Sequence, residues 1–235
     1  MNWLVVCGLD GALLGDDRAL AQANEEFIKQ RSNIILAYLT GRSLASVLAL
    51  KQQVALLPAD YLACDSGTSL YRRDGEKYVP MVAWMNLLNS DWKRERVEAI
   101  AHRFYLEEQP PQYQSPFKCS YYLAQERAKE ILPQLHEAVE QINAHLIYKS
   151  GFLDILPTNS AELIDYLRAY LNVDEAKTIA CGGVVTDDHF TQLAIKSVFV
   201  PETPAAEHRN GAGIYYAQAP YAQGVLEGLR YWGIL

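Results

Sequence analysis

A single carboxylate follows an apolar run near the N-terminus and could do chemistry there. Residues 3–7 are apolar, the run stops at Gly8, and Asp10 follows in a stretch that leads to a polar loop at 15–17. An apolar run that ends in glycine and aspartate is typical of a buried strand that stops at a loop. Ligands of open α/β sheets bind at the carboxyl ends of such strands. We therefore predict a site at Asp10, whose carboxylate could act as a base towards water.

A second polar stretch follows the next apolar run. Residues 34–39 lead directly into Thr40, Gly41 and Arg42. A threonine hydroxyl and the next backbone N–H at a strand end can together hold a phosphate oxygen. These three residues are therefore candidates for binding a phosphate or a sugar. The alternative interpretation is an ordinary turn from strand to helix with a surface arginine.

Alternating apolar segments place these residues in an α/β fold. The apolar runs predict strands at 3–7, 34–39, 61–64, 178–181, 197–200 and 213–216. Helical spacing of apolar residues predicts helices at 18–30, 44–50, 160–171 and 222–232, with Ser160 as a cap. Strands and helices that alternate in this way predict a parallel, doubly wound sheet.

The middle of the chain follows a different pattern. Helical segments are expected at 84–106 and 124–144, and strands at 117–123, 145–149 and 152–156, without glycine-rich loops between them. This pattern predicts a separate α+β domain at 83–155. It would be inserted into a core domain made of residues 1–82 and 156–235.

Charge and cysteine content exclude several classes of protein. The chain has 235 residues, of which 21 are basic and 28 acidic, so a nucleic-acid or anionic-membrane surface is not expected. No apolar run approaches the roughly 20 residues of a membrane span, and we expect no signal peptide. The four cysteines show no Cys-x-x-Cys spacing, which favours a reduced, cytoplasmic protein with small buried thiols over a redox or metal site.

Several short segments, taken together and in order, resemble the sucrose-phosphate phosphatase branch of the haloacid dehalogenase (HAD) superfamily. No single segment is specific. The segments are Gly8-x-Asp10-x-Ala12, Thr40-Gly41-Arg42-Ser43, Phe117-Lys118-x-Ser120-Tyr121, Leu153-Asp154-Ile155-Leu156-Pro157, Ala217-Gln218-Ala219-Pro220 and Gly224-Val225-Leu226-Glu227-Gly228-Leu229. The resemblance covers essentially the whole chain. It implies a HAD-like Rossmannoid core with a mobile α+β cap.

The first motif of that family, Asp-x-Asp-x-Thr, is incomplete in this chain. The family's nucleophilic aspartate falls on Gly8, its general acid/base falls on Asp10, and its threonine falls on Ala12. A phosphoaspartyl route needs a carboxylate to attack phosphorus, and glycine supplies none. The neighbours that could replace a lost carboxylate are Asp16 and Asp65.

Two further family motifs are also altered. The family's lysine after the Leu-Pro segment has no counterpart at 158–162, and the first metal-binding acid of its fourth motif falls on Gly183. Asp187 and Asp188 remain, either as vestigial metal ligands together with Asp10 or as solvated loop charges. Mg²⁺ in active relatives needs such carboxylates. We therefore expect no intact metal site and no cofactor.

The cap motif is better kept. The family uses an aromatic–lysine pair to hold sugar hydroxyls, and Phe117 and Lys118 match it. Lys118 offers three hydrogen-bond donors on a flexible stem. The alternative is an exposed lysine on a strand.

The resemblance and the missing groups together predict a catalytically impaired, sucrose-phosphatase-like protein, a pseudo-phosphatase. It would act by binding a sugar, a sugar phosphate or a protein partner such as an enzyme of sucrose metabolism. One alternative is an active Mg-dependent hydrolase of divergent chemistry. The other is a purely structural interaction subunit.

Overall fold

The structure is a computed structural model that describes residues 2–183, 196–203, 210–211 and 213–235. Its strands are β1 (Trp3–Gly8), β2 (Ile34–Leu39), β3 (Tyr61–Cys64), β4 (Ser69–Asp74), β5 (Lys77–Pro80), β6 (Glu107–Glu108), β7 (Cys119–Tyr122), β8 (His145–Lys149), β9 (Phe152–Leu156), β10 (Thr178–Gly183), β11 (Lys196–Val200), β12 (Asn210–Gly211) and β13 (Ile214–Tyr216). Its α-helices are α1 (Asp17–Lys29), α2 (Leu44–Leu50), α3 (Val82–Asn89), α4 (Arg94–Arg103), α5 (Gln125–Glu140), α6 (Ser160–Leu171) and α7 (Tyr221–Tyr231).

The larger of two sheets is mostly parallel. In the described part of the chain its strand order is β12-β13-β11-β10-β1-β2-β3-β4-β5. The central strands β13, β11, β10, β1, β2 and β3 pair in parallel, whereas β4, β5 and β12 add antiparallel edges. The predicted α/β class with a parallel sheet is confirmed.

Helices cover both faces of this sheet, because its side chains alternate between two apolar clusters. Val5 and Cys7 of β1 point to one face, which α1, α2 and α7 cover. Leu4 and Val6 point to the other face, which α3 and α6 cover. Strands that are buried on both faces read as continuous apolar runs, which is why the sequence located them well.

Helix α7 lies unusually close to β11, and a glycine permits this approach. A Cβ built on Gly228 would lie 2.2, 2.4 and 2.8 Å from three side-chain atoms of Val198. Any larger residue at this position would have to push the helix away from the strand. The glycines of the 224–229 segment therefore have a packing role.

The second sheet belongs to the middle of the chain. It is antiparallel, with the order β6-β7-β9-β8, and α4 and α5 pack on it through an apolar cluster that includes Val97, Leu135 and Leu153. This arrangement is the predicted inserted α+β cap. The boundaries at residues 83 and 155 stay a prediction.

Two local details differ from the sequence expectation. The segment predicted as helical at 84–106 forms two helices, α3 and α4, separated at 90–93. Ser90 there donates its hydroxyl to the Leu87 carbonyl, a local bond that competes with helix continuation. The cap of α6 is Asn159 rather than Ser160, since the Asn159 side chain accepts from the Glu162 amide at 3.0 Å.

The four cysteines are buried, free thiols. Cys7 and Cys181 lie opposite each other on β1 and β10. Burial raises the pKa of Cys181 and of Cys64, and raises that of Cys119 to about 11. Such thiols stay protonated and unreactive at neutral pH. No helix among the described residues is long and apolar enough to cross a membrane.

Candidate functional site

The carboxyl ends of β1, β2 and β10 meet at one edge of the larger sheet. Gly8 at the end of β1 lies opposite Leu39 at the end of β2, and β10 runs on the other side of β1 to end at Gly183. The residues that follow β1 and β2 therefore come together. Thr40 donates its hydroxyl to Asp10 Oδ2 at 3.4 Å, across 30 residues of sequence.

Arg42 forms a two-pronged ion pair with Asp10. Its Nε lies 3.1 Å from Oδ1 and 2.9 Å from Oδ2, and its Nη2 lies 2.7 Å from Oδ1. The hydrogen bonds to Asp10 raise the pKa of Arg42 further above its ordinary value. Both side chains are partly exposed, at 35% for Arg42 and 49% for Asp10, so the pair contributes little to stability. The ion pair affects the chemistry of Asp10 more than the stability of the fold, because both oxygens of this candidate base already accept from the Arg42 guanidinium.

A strained loop after β3 braces this ion pair. Asp65 and Ser66 have positive φ angles of 51° and 59°. Their amides donate to the carbonyls of Arg42 and Thr40, each at 2.9 Å. Positive φ is uncommon for residues other than glycine and persists where the surroundings fix it. The 65–67 loop therefore holds the 40–42 turn in place.

The two acids that the sequence offers as substitutes for a lost carboxylate are a helix cap, Asp16, and a buried side chain, Asp65. Asp16 caps α1, accepting from the amides of Arg18 and Ala19 at 2.9 and 3.0 Å. Asp65 is buried, and burial raises the pKa of its carboxyl. Neither residue lines the cavity described next.

A cavity of about 350 Å³ lies between these strand ends and the cap sheet. The core supplies Asp10, Thr40 and Gly41 from the predicted site, with the backbone of Gly8 and Gly183. Four apolar residues also line it, namely Leu9, Leu39, Ile147 and Phe152. The cap adds Lys149, Ser150 and Asp154, the 65–67 loop adds Ser66, and the start of α6 adds Ser160. Ligand pockets typically combine apolar walls with a few placed polar groups in this manner.

The predicted cap pair, Phe117 and Lys118, lies beside the cavity and does not line it. Lys118 is 5% exposed, so it is no exposed strand lysine, and its Nζ donates to the Gly41 carbonyl at 3.3 Å. Phe117 is buried in the apolar cluster that includes Leu4 and Leu163. Neither Phe117 nor Lys118 is among the lining residues of the cavity. The structure thus places this pair as a bridge from cap to core, beside the cavity.

Sequence reasoning did not single out the polar cap residues that do line the cavity. Asp154 accepts from Ser120 at 2.6 Å and from Ser66 at 3.3 Å, and Lys149 Nζ lies 3.4 Å from Glu202 Oε1. Two features of the sequence could have indicated these residues. Asp154 is a carboxylate within the apolar segment 153–156, and Lys149 directly precedes the Ser-Gly turn that joins β8 to β9.

The described residues do not fit a Mg²⁺ ion. Gly8 and Gly183 offer no carboxylate, and the one at Asp10 is held by Arg42. The described part of the chain contains no group of three or more His, Cys, Asp or Glu residues placed to hold a metal. Mg²⁺ sheds water reluctantly and needs carboxylates or phosphates for its octahedral shell. Asp187 and Asp188, the other two candidate ligands, lie outside the described residues.

Glycine at position 8 is not demanded by the fold. Its φ lies outside the left-handed range, and an added Cβ would lie 3.5 Å from Ala12 Cβ and 3.6 Å from the Cys181 carbonyl oxygen. These are ordinary contacts. Position 183 is tighter, because a Cβ there would lie 3.2 Å from the carbonyl oxygen of Gly11. Steric crowding therefore does not account for glycine at position 8.

Comparison with known proteins gives a consistent result. The family model described as sucrose-6F-phosphate phosphohydrolase matches residues 1–233. The solved sucrose-phosphatase of Synechocystis sp. PCC6803, in complex with sucrose and phosphate, superposes with a TM-score of 0.89, at 29% identity over 99% of each chain. A glucosylglycerol-phosphate synthase of Pseudomonas anguilliseptica is 28% identical over 99% of this chain and 31% of its own length. A mannosylfructose-phosphate phosphatase of Agrobacterium fabrum is 25% identical over 98% of this chain and 97% of its own length.

Most of these curated relatives are longer proteins. The chain spans between 31% and 64% of the length of seven relatives that it matches. The match to the family model nevertheless runs almost from end to end, and the fold and the order of the motifs agree with it. The chain belongs to the sucrose-6F-phosphate phosphohydrolase family of the HAD superfamily.

Proposed function

We propose that this chain is a pseudo-phosphatase, a binding protein that holds a sugar or a sugar phosphate in the cavity between core and cap. The observation that carries the proposal is Gly8, which stands where the family has its nucleophilic carboxylate. No phosphoaspartyl intermediate can form on a residue without a side chain.

The state of Asp10 supports the same proposal. A general base needs a lone pair directed at the proton that it removes. Both Asp10 oxygens already accept from the Arg42 guanidinium, and Oδ2 also accepts from the Thr40 hydroxyl. The rival proposal, a divergent hydrolase in which Asp10 activates a water, requires Arg42 to move away first.

The similarity to part of a sugar-phosphate synthase suggests a class of protein partner. That relative contains a region similar to this whole chain within a polypeptide about three times as long. We propose that a sugar-phosphate-forming enzyme is the partner if the chain also acts through protein contacts. This partner and the cytoplasmic location rest on analogy and on the cysteine pattern.

Phosphatase assays with Mg²⁺ test the proposal. We expect no release of phosphate from sucrose-6-phosphate or from p-nitrophenyl phosphate above a protein-free control. Turnover that disappears in Asp10→Asn but persists in the helix-cap control Asp16→Asn would refute the pseudo-phosphatase proposal and support the hydrolase.

A further inference from the structure

We infer that the cavity selects an uncharged sugar over its phosphorylated counterpart. The inference rests on the proposed binding function and names the ligand class of the same site. It follows from the partners of the cations around the cavity, from the acceptors on its walls and from one exposed aromatic ring.

The basic groups at the cavity are already engaged within the described part of the chain. Arg42 holds Asp10 with two nitrogens, Lys149 lies 3.4 Å from the Glu202 carboxylate, and the buried Lys118 donates to the Gly41 carbonyl. To gain one of these three cations, a phosphate group entering the cavity would therefore have to break an ion pair of Arg42 or Lys149, or the hydrogen bond of Lys118.

The charge of the lining residues disfavours a phosphate as well. Asp10 and Asp154 are carboxylates and Lys149 is the one lysine among the lining residues, which leaves a formal charge of −1. Including their contact partners Arg42 and Glu202 leaves the sum at −1, and counting Lys118, which does not line the cavity, would bring it to 0. A phosphate monoester carries close to two negative charges at neutral pH, and like charges within a few ångströms repel.

The same walls suit the hydroxyl groups of a sugar. Each Asp154 oxygen accepts one hydrogen bond, Oδ1 from Ser120 and Oδ2 from Ser66, and a carboxylate has about four acceptor positions. Sugar hydroxyls can donate to the remaining positions. The hydroxyls of Thr40 and Ser66 also line the cavity; each already donates its proton, to Asp10 and to Asp154, so each can accept a hydrogen bond from a sugar hydroxyl.

Phe152 supplies a face for a sugar ring. It lines the cavity although 54% of it is exposed, and it lies on β9 beside the Ser-Gly turn. The negative face of an aromatic ring attracts the partly positive C–H groups on one side of a pyranose. Tyr122, whose ring centroid lies 6.0 Å from that of Phe152, is a neighbouring exposed aromatic that does not line the cavity.

Calorimetric titration without metal tests the inference with matched pairs. The probes are glucose with glucose-6-phosphate, sucrose with sucrose-6-phosphate and trehalose with trehalose-6-phosphate. We expect the uncharged member of at least one pair to bind ten-fold or more tightly than its phosphorylated partner. Phe152→Ala should weaken that binding about ten-fold, whereas Tyr122→Ala should leave it within two-fold.

A charge variant separates selectivity from simple loss of binding. Asp10→Asn frees the Arg42 guanidinium and should shift the affinity ratio towards the phosphorylated sugar by about ten-fold, whereas Asp16→Asn should leave the ratio unchanged. Equal or tighter binding of the phosphorylated members by the wild-type chain overturns the inference and leaves the binding function standing. Absence of binding by every probe at millimolar concentration counts against both.

Discussion

Restoring the two missing carboxylates should create a metal site without creating a phosphatase. The double variant Gly8→Asp/Gly183→Asp places two carboxylates on the ends of adjacent strands, β1 and β10. A Cβ at Gly8 would lie 3.8 Å from Gly182 Cα, and Gly183 is the next residue of β10. Without metal, two like charges about 6 Å apart cost roughly 1–3 kcal/mol at effective dielectric constants between water and a protein surface. The variant should therefore melt below the wild type.

Mg²⁺ should reverse this loss in the variant alone. A ligand that binds only the folded state at ten times its Kd stabilises it by about 1.4 kcal/mol. For a chain of this length, that corresponds to a rise of about 3–6 °C in melting temperature. The wild type should show no rise at the same Mg²⁺ concentration, because Gly8 and Gly183 supply no carboxylate.

The matched control is Gly8→Asn/Gly183→Asn. It adds side chains of nearly the same shape without charge, and so it reproduces the tight 3.2 Å contact between the new Cβ at 183 and the Gly11 carbonyl. Any loss of stability shared by both double variants is steric. The difference in melting temperature between the two double variants measures the effect of the added charges. Only the aspartate variant should gain melting temperature when Mg²⁺ is added.

Turnover should remain absent in the aspartate variant. A nucleophile must be aligned with phosphorus, and a misplacement of about 1 Å can cost on the order of 100-fold in rate. The candidate acid/base, Asp10, also stays paired with Arg42. An aspartate variant that behaves like the asparagine control, with and without Mg²⁺, would show that positions 8 and 183 do not face one site. The motif alignment would then be wrong.

Two further predictions concern stability. Gly228→Ala should lower the free energy of unfolding by about 1–3 kcal/mol, because the new methyl group overlaps the Val198 side chain; urea unfolding measures this, and Val198→Ala in the same chain should recover part of the loss. His145 forms a hydrogen bond to the Glu162 carboxylate at 3.3 Å, and this bond lowers the pKa of Glu162 below its ordinary value of 4.5. Thr158 also donates a hydrogen bond to the same carboxylate. A lowered folded-state pKa stabilises the fold above the unfolded-state value and loses that effect as the pH falls through it. The Glu162→Gln variant should therefore melt below the wild type at pH 7, and this difference in melting temperature should shrink below pH 4.5. A difference that stays constant from pH 7 to pH 3 would contradict the assignment.

The sequence by itself determined the framework of this protein. The strands at 34–39, 61–64, 145–149 and 152–156 were predicted with the bounds that the structure shows, because a short apolar run between turn residues carries its own signal. That position 8 has no side chain is likewise known from the sequence alone. To interpret this fact, one needs only to recognise that Gly8 lies at the end of a strand.

Only the tertiary structure decided what surrounds that strand end. Ser66 reaches Asp154 across 88 residues of sequence, and Lys118 reaches the Gly41 carbonyl across 77. The pairing of Arg42 with Asp10 depends on the adjacent ends of β1 and β2, and the burial of Phe117 depends on how the cap packs against the core. Local periodicity fixes which residues form a strand, since each run buries its own side chains. The partner of a polar side chain is set by contacts between elements far apart in the chain, and these form only when the whole fold is assembled.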